Sequence, residues 1–328
     1  MAAVALAGCS SPIDVSTAER AVQATCQELE RLAGVSRASC VVDDGGFDAG
    51  VSRRTTIEIE SAATAEQAQK IISTWSSSTS GGSEEYGIQG SRATPLELTL
   101  DGTPSATFSV APGAPAPGVV FVEEWLSRAR GGIPITGSIT DTRRIAIAED
   151  GLSPSAQVAL LDEFGMQTRT DGLVLEIGAG SSATNTASSF EAPVSETLHE
   201  TLKQFDSAYH DLSESDPARE LAFTVDAAPG QAPRLEFRIP ADLVPDVSAD
   251  RPVVQAPAWP TIRALLEAAA PSGPDYALRL TARPGDVIGS ISTSGCVPEL
   301  RGPQPRYTDE LQAQWATIHN VPAPDACE

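Results

Sequence analysis

Lysine, histidine, aromatic side chains and long apolar runs are all scarce in this chain of 328 residues, and each scarcity excludes something. Lys70 and Lys203 are the only lysines, and 44 acidic residues against 22 basic ones leave a formal charge of −22. Sequence-independent nucleic-acid binding depends on Lys and Arg neutralising phosphates, so no nucleic-acid partner is expected. Broad electrostatic docking on an anionic membrane is disfavoured on the same ground. The pairs Arg53-Arg54 and Arg143-Arg144 are too short for a basic patch and are expected at solvated strand edges. Acidity of this size serves solubility. No segment approaches the ~18 consecutive apolar residues of a membrane span.

The scarcity of histidine removes most metal and triad chemistry. His199 and His210 lie eleven residues apart on one predicted helix, whereas a helical chelating pair needs a spacing of three or four. Both are expected at an exposed or boundary position, one residue past Leu198 and Tyr209 of an apolar stripe, and His319 near the tail has no visible partner. There is no Cys-x-x-Cys, no Gly-x-Ser-x-Gly elbow and no Ser-x-x-Lys. No acidic loop has the spacing of a calcium-binding hand. The stretch Gly178-x-Gly180-x-x-Ala183 follows a predicted strand, but a polar run at 181–189 delays the helix that a dinucleotide site requires at once. It is expected to be a connector. The acidic pairs Glu84-Glu85, Glu123-Glu124 and Asp162-Glu163 leave a carboxylate-only hydrolase as an alternative. The expectation is a non-enzymatic chain with no catalytic residue, no metal and no cofactor.

Aromatics make up 5% of the chain, so alanine, valine and leucine must supply much of the packing. Trp75, Trp125 and Trp315 fall on predicted amphipathic helices and are expected in the core, and Trp259 sits between Ala258 and Pro260.

The N-terminus carries the most informative motif. Leu6-Ala7-Gly8-Cys9, followed by Ser10 and Ser11, resembles the lipobox of bacterial lipoproteins. The resemblance implies cleavage before Cys9, a diacylated cysteine, and a chain held by lipid on the extracytoplasmic face of the cell membrane. Two acyl chains on one residue suffice for stable anchoring, where one is marginal. A leader needs a basic start and roughly 7–15 apolar residues, and only Met1 to Ala7 precede Gly8, which predicts an upstream start or a shortened leader.

With Cys9 assigned to lipid, four of the five cysteines remain, an even number suited to disulfides in an exported protein. Three pairings are possible, with buried free thiols as the alternative. Helix and strand phase favour Cys26–Cys40, and with it Cys296–Cys327, which would pin the C-terminal tail to the loop after the last strand. On a helix over 16–33, Val22, Cys26 and Leu29 share a face, and on the following strand so do Ala38, Cys40 and Val42.

Periodicity predicts one order of elements three times: helix, strand, strand, helix, strand. The first copy uses helices over 16–33 and 65–76, strands over 35–42 and 55–60, and a hairpin over 96–110. The second uses helices over 119–130 and 154–164 with strands over 133–140, 143–148 and 172–178. The third has helices over 193–212 and 261–270 with strands over 220–226, 234–239, 276–283 and 286–292, and a last helix follows over 308–318. The expected fold is therefore α+β: three repeated αββαβ modules with helices packed on one face of mixed or antiparallel sheets. The domain boundaries follow as 1–15 for the leader and tether, then modules at 16–112, 113–190 and 191–328, the last with a Pro-rich excursion and tail. The Pro- and Gly-dense stretch 111–118 marks the first junction. This element order resembles the small envelope domain called BON, which implies association with the cell envelope. The function expected is a lipid-anchored protein that binds an envelope protein or, alternatively, a small solute in a cleft between modules.

Overall fold

Residues 15–43, 52–80, 92–148, 153–165, 172–178, 187–215, 222–227, 232–239, 243, 251–271, 275–283, 286–293 and 307–322 are described by the structure, a computed structural model. They form a mixed α/β fold in two compact units, residues 1–143 and 144–328.

In the first unit the elements are α1 (Val15–Glu30), β1 (Val35–Asp43), β2 (Ser52–Ile59), α2 (Ala65–Ser80), β3 (Arg92–Leu100), β4 (Thr103–Val110), α3 (Val119–Arg130) and β5 (Ile135–Ile139). The strands lie side by side in sequence order. β1–β2 and β3–β4 are antiparallel. β2–β3 and β4–β5 are parallel, so a crossover must join each pair, and α2 and α3 supply it. Side chains alternate as the pattern requires: Ile57, Ile59, Leu96 and Leu98 are buried, whereas Glu58 and Thr99 on the opposite phase are not.

The core helices are set by local signals. Thr64 caps α2 through a reciprocal box, its hydroxyl accepting from Gln67 N at 3.3 Å while its own amide donates to Gln67 Oε1 at 2.8 Å. Ala68, Ile71, Ile72 and Trp75 then bury one face of α2. Trp125 and Phe121 of α3 meet Phe108 of β4 at centroid distances of 5.1 and 5.5 Å. Gly137 on β5 makes room for them, because a Cβ there would collide with the Phe108 ring and come 3.1 Å from Trp125. Arg130 ends α3 by donating to Ser61 O and Ala63 O, which ties the helix to the turn before α2.

The second unit contains β6 (Arg143–Ile147, starting at the boundary), α4 (Pro154–Leu160), β7 (Leu173–Ile177), β8 (Ser188–Ala192), α5 (Glu196–Ser215), β9 (Ala222–Ala227), β10 (Arg234–Arg238), α6 (Trp259–Ala268), β11 (Ala277–Arg283), β12 (Asp286–Ser292) and α7 (Thr308–His319). α4 begins as expected, with Ser153 accepting from Ala156 N and Pro154 in the first turn, and runs into a π-helical turn at Leu161–Gly165. β7–β8, β9–β10 and β11–β12 are antiparallel. β8–β9 and β10–β11 are parallel and bridged by α5 and α6.

The hairpin expected over 96–110 is present as β3 and β4, turning at Gly102 with φ 77°. One difference from the expected elements matters. β8 was not expected, since Ser188, Ser189 and Glu191 leave it one large apolar residue, Phe190. Its polar end is held from inside: buried Ser188 donates to Gln157 Oε1 at 2.7 Å and accepts from Val225 N at 3.0 Å, while Gln157 Nε2 donates to Phe223 O at 3.0 Å. Among the described residues the order is thus helix–strand–strand–helix–strand–strand, occurring three times, with α7 last.

α7 closes one sheet edge. Gln312 accepts from Ser292 N at 3.0 Å and donates to Ser292 O at 3.3 Å, so its amide replaces a neighbouring strand. Thr308 Oγ1 accepts from Ser290 N, and Tyr307 N donates to Ile288 O, each at 3.3 Å. The start of the helix rests directly on Gly289, where a Cβ would lie 2.6 Å from Leu311. Trp315 Nε1 donates to Ala269 O at 2.6 Å and His319 Nε2 lies 2.8 Å from Leu266 O, which fastens α7 to the end of α6.

Candidate functional site

The cysteines divide between what the structure describes and what it does not. Cys26 on α1 and Cys40 on β1 are joined in a disulfide with a Cα separation of 5.9 Å. The shared face holds: Val22, Leu29 and Ala38 are buried around the bridge. Cys9, Cys296 and Cys327 lie outside the described residues, as do Glu84-Glu85 and residues 179–186 of the glycine-containing connector.

His199 requires a correction. It is buried rather than exposed or at a boundary, with its Nε2 2.7 Å from Asp162 Oδ1. The physical reason is tertiary. The π-helical turn after α4 carries Asp162 across to α5, which sets the carboxylate against the imidazole, although the contact is not aligned as a hydrogen bond. The pair joins two helices, and among the described residues no group of three or more metal-ligating side chains forms around it or elsewhere. Glu163 is exposed beside it.

The chemistry on display lies instead on the polar phase of β8 to β11. Leu235 and Phe237 of β10 turn into the core, so Arg234, Glu236 and Arg238 stand on the other face. Register then sets their neighbours: Arg234 lies opposite Asp226, Glu236 opposite Thr224 on one side and Arg279 on the other, and Arg238 opposite Thr281. Arg234 Nη2 meets Asp226 Oδ2 at 2.6 Å. Glu236 accepts from Thr281 at 3.1 Å and lies 4.0 Å from Arg279. On β6 and β7 the same phase places Arg144 2.7 Å from Glu176. Ser189, Thr224, Asp226, Arg234, Glu236 and Arg238 line a cavity of about 330 Å³ over β8, β9 and β10. Arg238 lines it, and the Nε of that side chain is buried without a hydrogen-bond partner among the described residues.

Sequence reasoning missed this face. The signal was present in Arg234-Leu-Glu-Phe-Arg238, where charge alternates with apolar bulk, but the partners come from two other strands, β9 and β11, and only register brings them together. Comparison with known families, curated proteins and solved structures finds no match to this chain.

Proposed function

We propose that this chain is a lipid-anchored extracytoplasmic protein of bacterial type, non-enzymatic, built to bind a partner at the cell envelope. The single observation that carries the reading is the Cys26–Cys40 disulfide, seventeen residues beyond the lipobox cysteine. A disulfide between a helix and a strand persists in an oxidising compartment and is rare in a reducing one. It agrees with Cys9 as a lipid attachment site and with Cys296–Cys327 as a second bridge. Among the described residues no helix is long and apolar enough to cross a membrane, and in this reading the lipid supplies the attachment.

Within this reading the chain is three copies of one αββαββ module. The threefold element order supports it, as does the use of a helix at every parallel crossover. Right-handed crossovers that all advance in one direction place their helices on one face of a sheet and leave the other free for binding. Globomycin treatment tests the anchor: unprocessed precursor should accumulate, and a protein that stays cytosolic and unprocessed with or without the drug removes the reading.

A second reading, a solute-binding protein, has one specific observation in its favour. The 330 Å³ cavity lies where β8, the last strand of the second copy, meets β9 of the third, and Arg238 lines it. A guanidinium at a cavity wall suits a carboxylate. Glutarate should raise the melting temperature of the wild-type chain and not of an Arg238→Gln variant, and equal response of the two counts against it.

A further inference from the structure

The two edges of the chain's strand order are treated differently. The β12 edge is sealed by Tyr307, Thr308 and Gln312, whereas no described strand pairs with the outer side of β1. β1 has nine residues, and Val41 on it is 54% exposed, the most exposed large apolar side chain among the described residues. A bare strand of this length invites pairing, and proteins usually blunt or cover it.

Beside that edge runs a groove of about 560 Å³ whose two walls are α1 and β1. Val22 and Cys26 of α1 with Cys40 and Val42 of β1 form its apolar floor, and Glu19 and Glu30 stand exposed on its rim. Glu19 to Glu30 is eleven residues of helix, roughly 16 Å at 1.5 Å per residue, which matches about five residues of extended chain at ~3.3 Å each. The Cys26–Cys40 bridge fixes the separation of the walls.

We infer that the α1–β1 groove receives an extended basic segment of a partner protein, added as a strand to β1 with positively charged side chains at its two ends. Strand addition at a free edge supplies main-chain hydrogen bonds for affinity, and alternate side chains entering the groove supply selectivity. Charge decides between this occupant and the chain's own neighbouring segments. Residues 1–14 and 44–51, which flank α1 and β1, contain no lysine or arginine, and the second holds Asp44 and Asp48. Neither complements a rim of two glutamates. The inference deepens the binding reading by naming the partner's chemistry, and it stands whether or not Cys9 carries lipid.

The test uses the intact chain and an acetylated, amidated heptapeptide, Lys-Ser-Val-Ser-Val-Ser-Lys, whose lysines and valines share one face of a strand, labelled for fluorescence anisotropy. The same peptide with glutamate at each end is the control. The lysine peptide should bind, and on binding exchange should slow at those amides of residues 37–42 that point away from β2. Affinity should fall at least tenfold in a Glu19→Gln/Glu30→Gln variant, which alters exposed positions only and leaves the fold intact, and should weaken as salt rises. Equal binding of both peptides, unchanged affinity in the double variant, or protection in the free chain of the alternate β1 amides that point away from β2 would overturn it. Failure here leaves globomycin sensitivity untouched, so the anchor and the groove stand or fall separately.

Discussion

Replacing Gln312 with alanine tests whether a side-chain amide can stand in for a missing strand. In the wild-type protein Gln312 is 9% exposed and Ser292 4% exposed, so the two hydrogen bonds between them form away from bulk water. Truncation removes both of these hydrogen bonds to the Ser292 backbone at a closed edge. Each unsatisfied buried backbone group costs about 1–3 kcal/mol, so a loss of ~2–4 kcal/mol is expected where water does not fully enter. The direct readout is hydrogen exchange at Ser292. A local loss of about 2 kcal/mol corresponds to roughly thirtyfold faster exchange of its amide. A Gln312→Leu variant restores bulk without polarity, and it should behave like alanine if the hydrogen bonds matter and like wild type if only the cavity does. Unchanged Ser292 exchange in both variants would refute the edge-sealing argument.

Three further outcomes are expected. A Cys26→Ser/Cys40→Ser variant should lose about 3 kcal/mol, the unfolded-state constraint of a loop of this length, measured by urea unfolding against the oxidised wild type; no change in the midpoint would show that the bridge contributes nothing. Gly137→Ala should cost about 1–3 kcal/mol by forcing the Phe108 and Trp125 rings apart, with a near-UV circular dichroism change as its signature, and an unperturbed spectrum at wild-type stability would contradict it. Hydrogen bonds from its own backbone amide and then from Thr64, at the start of α2, hold the Glu66 carboxyl below the usual carboxylate range. Its folded value therefore lies under its unfolded one, so the stabilisation is present above the unfolded range and is lost as pH falls through the folded value. Glu66→Gln should flatten the acid limb of the stability curve, and parallel limbs for the two proteins would refute that assignment.

Much of the fold was legible because local patterns and tertiary packing agree. Ile57 and Ile59 alternate with glutamates and are buried as strand residues. Leu198, Leu202 and Phe205 form a helical stripe that is buried on α5. The same phase reasoning placed Cys26 and Cys40 on facing surfaces. The misses share one cause, which is that polar groups were placed by residues far along the chain. β8 is too polar to announce itself, and it depends on Gln157 and on the Val225 amide. His199 falls one step outside the apolar stripe, yet it is buried, with Asp162 from another helix set against it. The amphipathic pattern of 308–319 predicts a helix but carries no sign that Gln312 faces a strand edge. The charge ladder on β10 likewise exists only after register has aligned it with β9 and β11.

The central claim is that the chain is exported, cleaved before Cys9 and held by lipid. Intact mass and N-terminal fragmentation of the protein extracted from native membranes test it most directly. The account predicts a chain beginning at Cys9, heavier than its sequence by a diacylglyceryl group, with Cys26 and Cys40 oxidised. A mature chain that carries an unmodified Cys9, with Cys26 and Cys40 as free thiols, would contradict it.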